Sequence, residues 1–359
     1  MAVPTAPAAS VPTLTMPAWD GLGGAVAMDA EHIAFADTVR RFLDREIVPS
    51  TPEWAGKGIP EAAWRLAGDY GLLGLGIDER FGGSGVDDPR FTAVMLAECM
   101  TAGVTGFGLA LAAHGVVGAA LSRSGTGEQQ AEWLPHLASG AVLATVARVG
   151  TDGVAPAVPG AASAGLVLVQ VDDGSGRVFL ATPDSFEPGA VDAMLAVPGG
   201  GIADVAVRGG GDPLRDAGFA ADGRLALAVL AQAGAQAALG DAVAYVRERR
   251  VFGSPLASFE NTRRALANVA VRVAASSALL AAALAAALPA GRLGDAQAAA
   301  VVTACTDCHV LAVDEALQLH GGYGYMREYP IAQRYADARL LRLMAVTDTV
   351  EAVAGSIGL

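Results

Sequence analysis

Long helix-forming segments dominate the second half of this chain of 359 residues. Short stretches that contain glycine or proline separate them, at residues 253–255, 289–291 and 321–330. Because short connections place consecutive helices side by side in antiparallel order, the simplest arrangement is an up-and-down bundle. The sequence therefore predicts a C-terminal four-helix bundle over residues 211–359, with helices over residues 222–248, 257–288, 294–318 and 331–357.

The chain changes character twice before this bundle. Apolar residues at three- and four-residue spacing predict helices between residues 28 and 140, which would form an N-terminal all-helical domain. Residues 141–210 instead carry short β-type runs at 165–171, 177–180 and 204–207, which predict a small middle β domain. Residues 1–27, rich in Pro, Ala, Thr and Gly and without a signal peptide, are expected to be a disordered tail. The predicted fold is mainly α.

Charge and cysteine content narrow the possible partners and compartments. The net charge of −13 argues against nucleic acid and anionic membranes as partners. With only Cys99, Cys305 and Cys308, a disulfide framework is not expected, which favours a cytoplasmic location. The segment from Cys305 to His309 matches a haem-attachment motif, but it lies in a helical stretch, so a pair of small core residues is favoured. No metal site is predicted.

Residues 273–291 carry no charge over a length that would span a bilayer. Most of them are alanine, which forms helices well but is a weak membrane signal. We therefore expect a buried helix of the bundle and no membrane partner.

Two motifs in the C-terminal half have the composition of a ligand site. In the first, residues 245–256, arginines close a predicted helix just before Phe252 and Gly253, which suits an anion and a flat ring. Spacing alone favours a solvated helix end there, with Phe252 as a packing residue. The second, residues 318–330, has three glycines whose exposed N–H groups suit a phosphate. The alternative is an ordinary helix C-cap and loop.

Together, these motifs resemble the R-x-x-F-G and Q-x-x-G-G-x-G-Y pattern of the acyl-CoA dehydrogenases. Residues 80–83, 133–140 and 334–339 also resemble that family, so the resemblance covers nearly the whole chain. It implies a helical domain, a middle β domain and a four-helix bundle, FAD as cofactor, and a dimer or tetramer. In that family FAD lies across a subunit interface. The resemblance assigns the adenine-diphosphate half of a neighbour's FAD to Arg249, Phe252, Gln318, Gly321 and Gly322.

The chain departs from the family at the catalytic base. Dehydrogenation needs a carboxylate to remove the α-proton of the acyl thioester, and a flavin to accept hydride. The two positions where family members carry the glutamate are Ala345 and Gly223 here. Asp222 and Asp348 are weak candidates, because a neighbouring helix residue points about 100° away. His320 is a third candidate, although each of these residue types is more often structural.

The middle β domain also departs from the family. Residues 149–156 stand where the family has a T-E-P-x-A-G-S-D segment, and no counterpart of the later F/W-I-T-N segment is found. The domain is shortened relative to the family. Thr347 survives from the C-terminal cofactor segment and is a predicted cofactor residue.

Three hypotheses follow from these retained and lost residues. The favoured one is the non-catalytic subunit of a heteromeric FAD-dependent acyl-CoA dehydrogenase, in which a full-length homologous partner dehydrogenates the acyl thioester. The second is an enzyme with altered chemistry, such as isomerisation, elimination or cyclisation, on a thioester of CoA or of a carrier protein. The third is a non-catalytic binding module that assembles with itself. Whether the chain is itself an enzyme is left open by the sequence.

Overall fold

The computed structural model describes residues 28–357, except Gly174, residues 192–193 and 216–217, and Gly291. The side chains of residues 289–290, 346–348 and 351 are also outside it. The predicted disordered tail at residues 1–27, and the side chains of Thr347 and Asp348, therefore lie outside the described part.

Helices form the N-terminal region, as predicted. Asp29 begins the first helix, since its carboxylate accepts a hydrogen bond from the Glu31 N–H at 3.0 Å. Thr126 and Gln129 form a capping box that begins the last one. The helices are α1 (Ala30–Phe42), α2 (Glu61–Asp69), α3 (Pro89–Thr101), α4 (Thr105–Ser124) and α5 (Gly127–Ala138).

Two small sheets make up the middle region. The strands are β1 (Leu143–Val149), β2 (Val154–Val158), β3 (Ala164–Val171), β4 (Val178–Ala181), β5 (Phe186–Pro188), β6 (Ala203–Val207) and β7 (Asp212–Pro213). The predicted β-type runs correspond to β3, β4 and β6. One sheet has the order β1-β3-β4-β7 and the other β2-β6-β5, with β1 and β3 parallel and the remaining pairs antiparallel. Apolar side chains from both sheets form a common core.

Long helices form the C-terminal region, and a short hairpin joins the first two. They are α6 (Phe219–Glu248), α7 (Glu260–Ala290), α8 (Asp295–His320) and α9 (Pro330–Ser356), with the hairpin strands β8 (Arg250–Val251) and β9 (Ser254–Pro255) after α6. The prediction of a mainly α fold, with a small β region between two helical ones, is confirmed. The helix α6 begins three residues before its predicted start.

Close packing between α6 and α8 gives the segment from Cys305 to His309, which matches the haem-attachment motif, a structural role. A Cβ on Gly234 of α6 would lie 2.4 Å from the ring of His309, so only glycine leaves room for that ring. Cys305 and Cys308 are buried as free thiols in α8. Cys305, Cys308 and His309 thus all take part in packing the helical core.

Polar contacts join the three regions. Arg334 of α9 donates to the Met100 carbonyl at the end of α3 at 2.9 Å, and its Nε bonds to Asp241 of α6 at 2.7 Å. Asp337, one turn further along α9, accepts a 2.7 Å hydrogen bond from the Val197 N–H in the loop before β6. The helix α9 therefore fixes both the N-terminal helices and the middle β region.

Within the part of the chain that the structure describes, four helices are long and apolar enough to cross a membrane, judged by length and composition alone. They are Thr105–Ser124, Phe219–Glu248, the Glu260–Leu288 part of α7, and Asp295–Tyr325. The most apolar stretch of the first is 78% buried within the fold and that of α7 44%. The absence of a membrane partner stays a prediction.

Candidate cofactor and substrate sites

A two-residue turn presents Phe252 at the tip of the β8–β9 hairpin. Phe252 and Gly253 both have positive φ, +51° and +79°, which is the geometry of a type I′ hairpin turn. A left-handed conformation is uncommon for a bulky residue. The Phe252 side chain is 95% exposed, so the packing role suggested by spacing alone is wrong. The hairpin holds an aromatic ring out in solvent.

The second motif ends α8 at a backbone geometry that requires glycine. Gly321 has φ +57° and ψ −135°, a conformation that side chains with a Cβ avoid. A Cβ added to Gly321 or Gly322 would meet no atom within 4 Å, so open space borders both residues. The segment is thus a helix C-cap, as the alternative interpretation held, and its backbone is also accessible to a ligand.

The two motifs meet around one surface cavity of about 410 Å³. Arg249, Gly321 and Gly322 all line it, so three of the residues predicted to bind the nucleotide half of FAD lie together. Its walls are completed by Tyr245, Val251, Leu256, Leu319, His320, Tyr323 and Met326. Phe252 follows Val251 directly, and Gln318 is exposed on the last turn of α8, but neither lines the cavity itself.

Two stacked ring side chains form part of the wall of this cavity. Tyr245 and His320 stack with ring centroids 4.0 Å apart, and the Tyr245 hydroxyl donates to the His320 carbonyl at 3.2 Å. His320 Nδ1 lies 2.7 Å from the Ala316 carbonyl, and burial lowers the pKa of the imidazole. A buried neutral ring in this position orders the end of α8, which gives His320 a structural role.

Tyr323 was not singled out by the sequence analysis. The guanidinium of Arg249 lies over its ring, 5.1 Å from the centroid. A positive charge, an aromatic face and open backbone N–H groups around one cavity suit a nucleotide diphosphate. The G-G-x-G-Y pattern pointed to this loop through its final tyrosine, Tyr325. Tyr323 stands at the variable position x of the pattern, so the pattern did not single it out.

Neither family position of the catalytic base provides a carboxylate in the fold. Ala345 is only 4% exposed and packs within the main core from α9. Gly223 lies in the first turns of α6, where an added Cβ would meet nothing within 4 Å.

Asp222 lines a second, largely apolar cavity of about 150 Å³. Its carboxylate is ion-paired with Arg123 at the end of α4, and Leu225 and Val229 of α6 line the same cavity. Burial raises the pKa of Asp222, and the charge of Arg123 opposes that rise. A cavity of this volume accommodates a group about the size of benzene.

His114 also lines this cavity and was missed by the sequence analysis. Its Nδ1 accepts a 3.2 Å hydrogen bond from the Ala144 N–H of β1, and burial lowers the pKa of the ring to about 4. A lone histidine in an apolar helix carries no signal that distinguishes it from an ordinary core residue.

Residues 149–156, which stand in place of the family's flavin-ring segment, run from the last residue of β1 through a tight turn into β2. The Gly153 N–H donates to the Gly150 carbonyl at 3.1 Å, and the Val154 N–H donates to the Asp152 carboxylate at 3.1 Å. The polar groups of this segment therefore support the turn between β1 and β2.

Comparisons with known proteins agree with this arrangement. Residues 29–141 match the family described as "Acyl-CoA dehydrogenase, N-terminal domain", and residues 217–352 match "Acyl-CoA dehydrogenase, C-terminal domain". The matched segments lie on either side of the middle β region.

Similar proteins cover most of the chain. The rat protein "Long-chain specific acyl-CoA dehydrogenase, mitochondrial" is 26% identical over 89% of this chain and 84% of its own length. A crystal structure of an acyl-CoA dehydrogenase from Geobacillus kaustophilus superposes with a TM-score of 0.83, at 24% identity, over 94% of this chain and all of that one. An acyl-CoA dehydrogenase from Bacillus anthracis, solved with FAD, gives a TM-score of 0.78 at 22% identity, over 92% of this chain and 67% of that one. On the two domain matches, which together span more than half of its length, this chain belongs to the acyl-CoA dehydrogenase family.

Proposed function

We propose that this chain is the non-catalytic subunit of a heteromeric FAD-dependent acyl-CoA dehydrogenase. Its role is to complete the FAD site of a catalytically complete homologue, which dehydrogenates the acyl thioester. One observation carries the proposal: the chain retains residues suited to a nucleotide but lacks the base. Arg249, Gly321 and Gly322 line the nucleotide cavity, whereas the buried methyl group of Ala345 stands where the family has its catalytic base.

The exposed tip of the β8–β9 hairpin supports a role toward another subunit. Phe252 is held 95% exposed in a left-handed conformation that costs roughly 1–3 kcal/mol for a residue with a side chain. Among the described residues, none covers the ring and so offsets this cost. A ring that becomes buried only against a partner and its bound FAD accounts for the geometry.

The residues present fit the nucleotide half of FAD. The Arg249 guanidinium suits a diphosphate, and Tyr323 together with Phe252 offers flat surfaces for an adenine ring. FAD supplies the hydride acceptor of the dehydrogenation when it is bound. In this proposal the partner provides both the base and the contacts to the flavin ring.

The test is the flavin content of the purified chain. We expect little flavin absorbance per protomer in the chain alone, and one flavin per mixed pair, with dehydrogenase activity, after co-expression with a complete homologue. Arg249→Gln is expected to reduce flavin retention by the mixed pair. The matched control is Arg264→Gln, an exposed arginine of α7 paired with Glu260. Near-stoichiometric flavin in the chain alone would refute the proposal.

A second candidate function is supported by Asp222. A carboxylate with a raised pKa at an apolar cavity is suited to proton transfer, as isomerisation or elimination of an acyl thioester requires. Turnover of a thioester by the chain alone, abolished by Asp222→Asn, would favour this function over the subunit role. A homo-oligomer with neither flavin nor turnover would favour the binding module.

A further inference from the structure

The β8–β9 hairpin lies within a positively charged segment of an otherwise acidic chain. Residues 247–264 contain five arginines and two glutamates, whereas the whole chain carries a net charge of −13. Within this segment Glu260 is paired with Arg264, so these two charges offset each other. Three further arginines of the segment are exposed and form no ion pair with any described carboxylate: Arg247, Arg250 and Arg263. The segment therefore concentrates uncompensated positive charge on the surface.

The nucleotide cavity does not account for these three charges. Arg249 lines that cavity, but Arg247, Arg250 and Arg263 do not. A shortage of carboxylates does not explain them either, because the chain has 37 acidic side chains for 24 basic ones. In α9, by contrast, each arginine is paired with an aspartate: Arg334 with Asp241, Arg339 with Asp314 and Arg342 with Asp307. The charges around the hairpin are thus available to another molecule.

Hydrogen bonds hold these charges close to the exposed ring of Phe252. Arg250 is the first residue of β8, and its Nη1 donates to the Gly253 carbonyl at the tip of the hairpin at 3.1 Å. The Leu256 N–H donates to the Arg249 carbonyl at 2.7 Å, which brings the chain back to the end of α6. Arg247 lies in the last turn of α6 and Arg263 in the first turn of α7. The hairpin therefore presents an apolar tip with cations around its base.

We propose that this hairpin docks on an acidic surface of the catalytic partner, where carboxylates surround an apolar hollow that receives Phe252. The inference rests on the proposed subunit role and adds to it the chemistry of the partner's surface. Complementary charges around an apolar contact speed the encounter of two proteins and disfavour partners of like charge. Two copies of this chain that met hairpin to hairpin would oppose two positive surfaces, which favours a different, acidic partner.

The net negative charge of the chain does not prevent this role. Charge interactions in water fade over about 8 Å at physiological ionic strength, so a partner at the hairpin senses mainly the nearby arginines. An extended polyanion, such as a nucleic acid, would reach beyond the hairpin and meet the acidic remainder of the chain. The charge distribution therefore suits a local cluster of carboxylates on a protein surface.

The test is the rate at which this chain associates with the complete homologue of the flavin-containing mixed pair, measured by surface plasmon resonance at about 50 and 500 mM NaCl. We expect the association rate of the parent to fall about tenfold between these salt concentrations. A triple variant, Arg247→Gln with Arg250→Gln and Arg263→Gln, should associate about tenfold more slowly than the parent at low salt and at nearly the parent's rate at high salt. Phe252→Ala should instead act mainly by speeding dissociation.

Two further variants make this test specific. The control replaces three exposed cations of the N-terminal region and so removes the same net charge from elsewhere: Arg41→Gln, Arg45→Gln and Lys57→Gln. It should associate as the parent does. Because Arg250 also supports the hairpin through its bond to Gly253, the pair Arg247→Gln and Arg263→Gln serves if the triple variant fails to fold. This double variant should slow association by a smaller factor, about threefold.

The possible outcomes separate this inference from the subunit role. A flavin-containing mixed pair whose association rate is the same at both salt concentrations, or in the folded arginine variants, would refute the acidic surface and leave the subunit role standing. Equal slowing of the N-terminal control would assign the effect to net charge and also refute it. Self-association of the lone chain that depends on the same arginines would assign the surface to a second copy. If no mixed pair forms, both proposals fail.

Discussion

Phe252→Gly is expected to change two properties of this protein in opposite directions. The substitution removes the side chain from a residue with φ +51° at the tip of the β8–β9 hairpin. Relief of the left-handed strain stabilises the folded chain, and the greater freedom of glycine in the unfolded chain offsets part of that gain. The net expectation is that the free energy of unfolding of the lone chain rises by about 0.5–1 kcal/mol.

The same substitution is expected to weaken assembly with the catalytic partner. A phenylalanine buries roughly 150–250 Å² when it is fully covered, and 95% of this side chain is exposed in the lone chain. At about 25 cal/mol per Å², the upper limit of its contribution is roughly 4–6 kcal/mol. Because association also orders the ring, we expect a loss of about 2–4 kcal/mol, or roughly 30- to 1,000-fold in Kd.

Urea unfolding followed by circular dichroism measures the first effect, and sedimentation of the mixed pair with its flavin measures the second. Phe252→Ala is the matched control, since it removes the ring but keeps a Cβ in the left-handed conformation. It should weaken assembly like Phe252→Gly and leave the unfolding free energy close to that of the parent. If Phe252→Gly assembles and retains flavin as the parent does, the inference of a contact across the interface is wrong.

Two further predictions concern stability. Asp337→Ala leaves the buried Val197 N–H, a donor at 2.7 Å, without its acceptor, whereas the Gln333 amide keeps the Leu195 carbonyl as an acceptor. At roughly 1–3 kcal/mol for one orphaned buried group, we expect a loss of about 1–3 kcal/mol in urea unfolding, with faster hydrogen exchange at the Val197 amide; a loss below about 0.5 kcal/mol would contradict the anchoring of the middle region by α9. Burial lowers the pKa of His309 to about 3 and that of His114 to about 4. The unfolded chain therefore binds more protons between about pH 6.5 and pH 3, and stability falls as the pH is lowered through this window. His309→Leu should make that fall less steep, as measured by urea midpoints from pH 7 to pH 4, and an unchanged pH dependence would show that the histidine is not buried in its neutral form.

Features encoded within short segments of the chain were predictable. The helices of the bundle follow from apolar composition and from breaks at glycine and proline, because helix formation depends on neighbouring residues. The break at residues 253–255 was also predicted, but the β8–β9 hairpin that presents an exposed Phe252 at this break was not. The substitutions at Ala345 and Gly223 could also be identified from sequence, since the family motifs fix where the base would stand.

Features that join distant parts of the chain could not be predicted in this way. The pairing of β1 with β3, the ion pair of Arg123 with Asp222 and the ion pair of Arg334 with Asp241 each depend on how separate elements pack. Local patterns show which residues prefer the interior, but they do not determine which buried charges become neighbours. The sequence by itself therefore determined the family, the helical framework and the missing base. The tertiary structure alone decided which charged groups meet, because the balance of desolvation and charge pairing is set by the final packing.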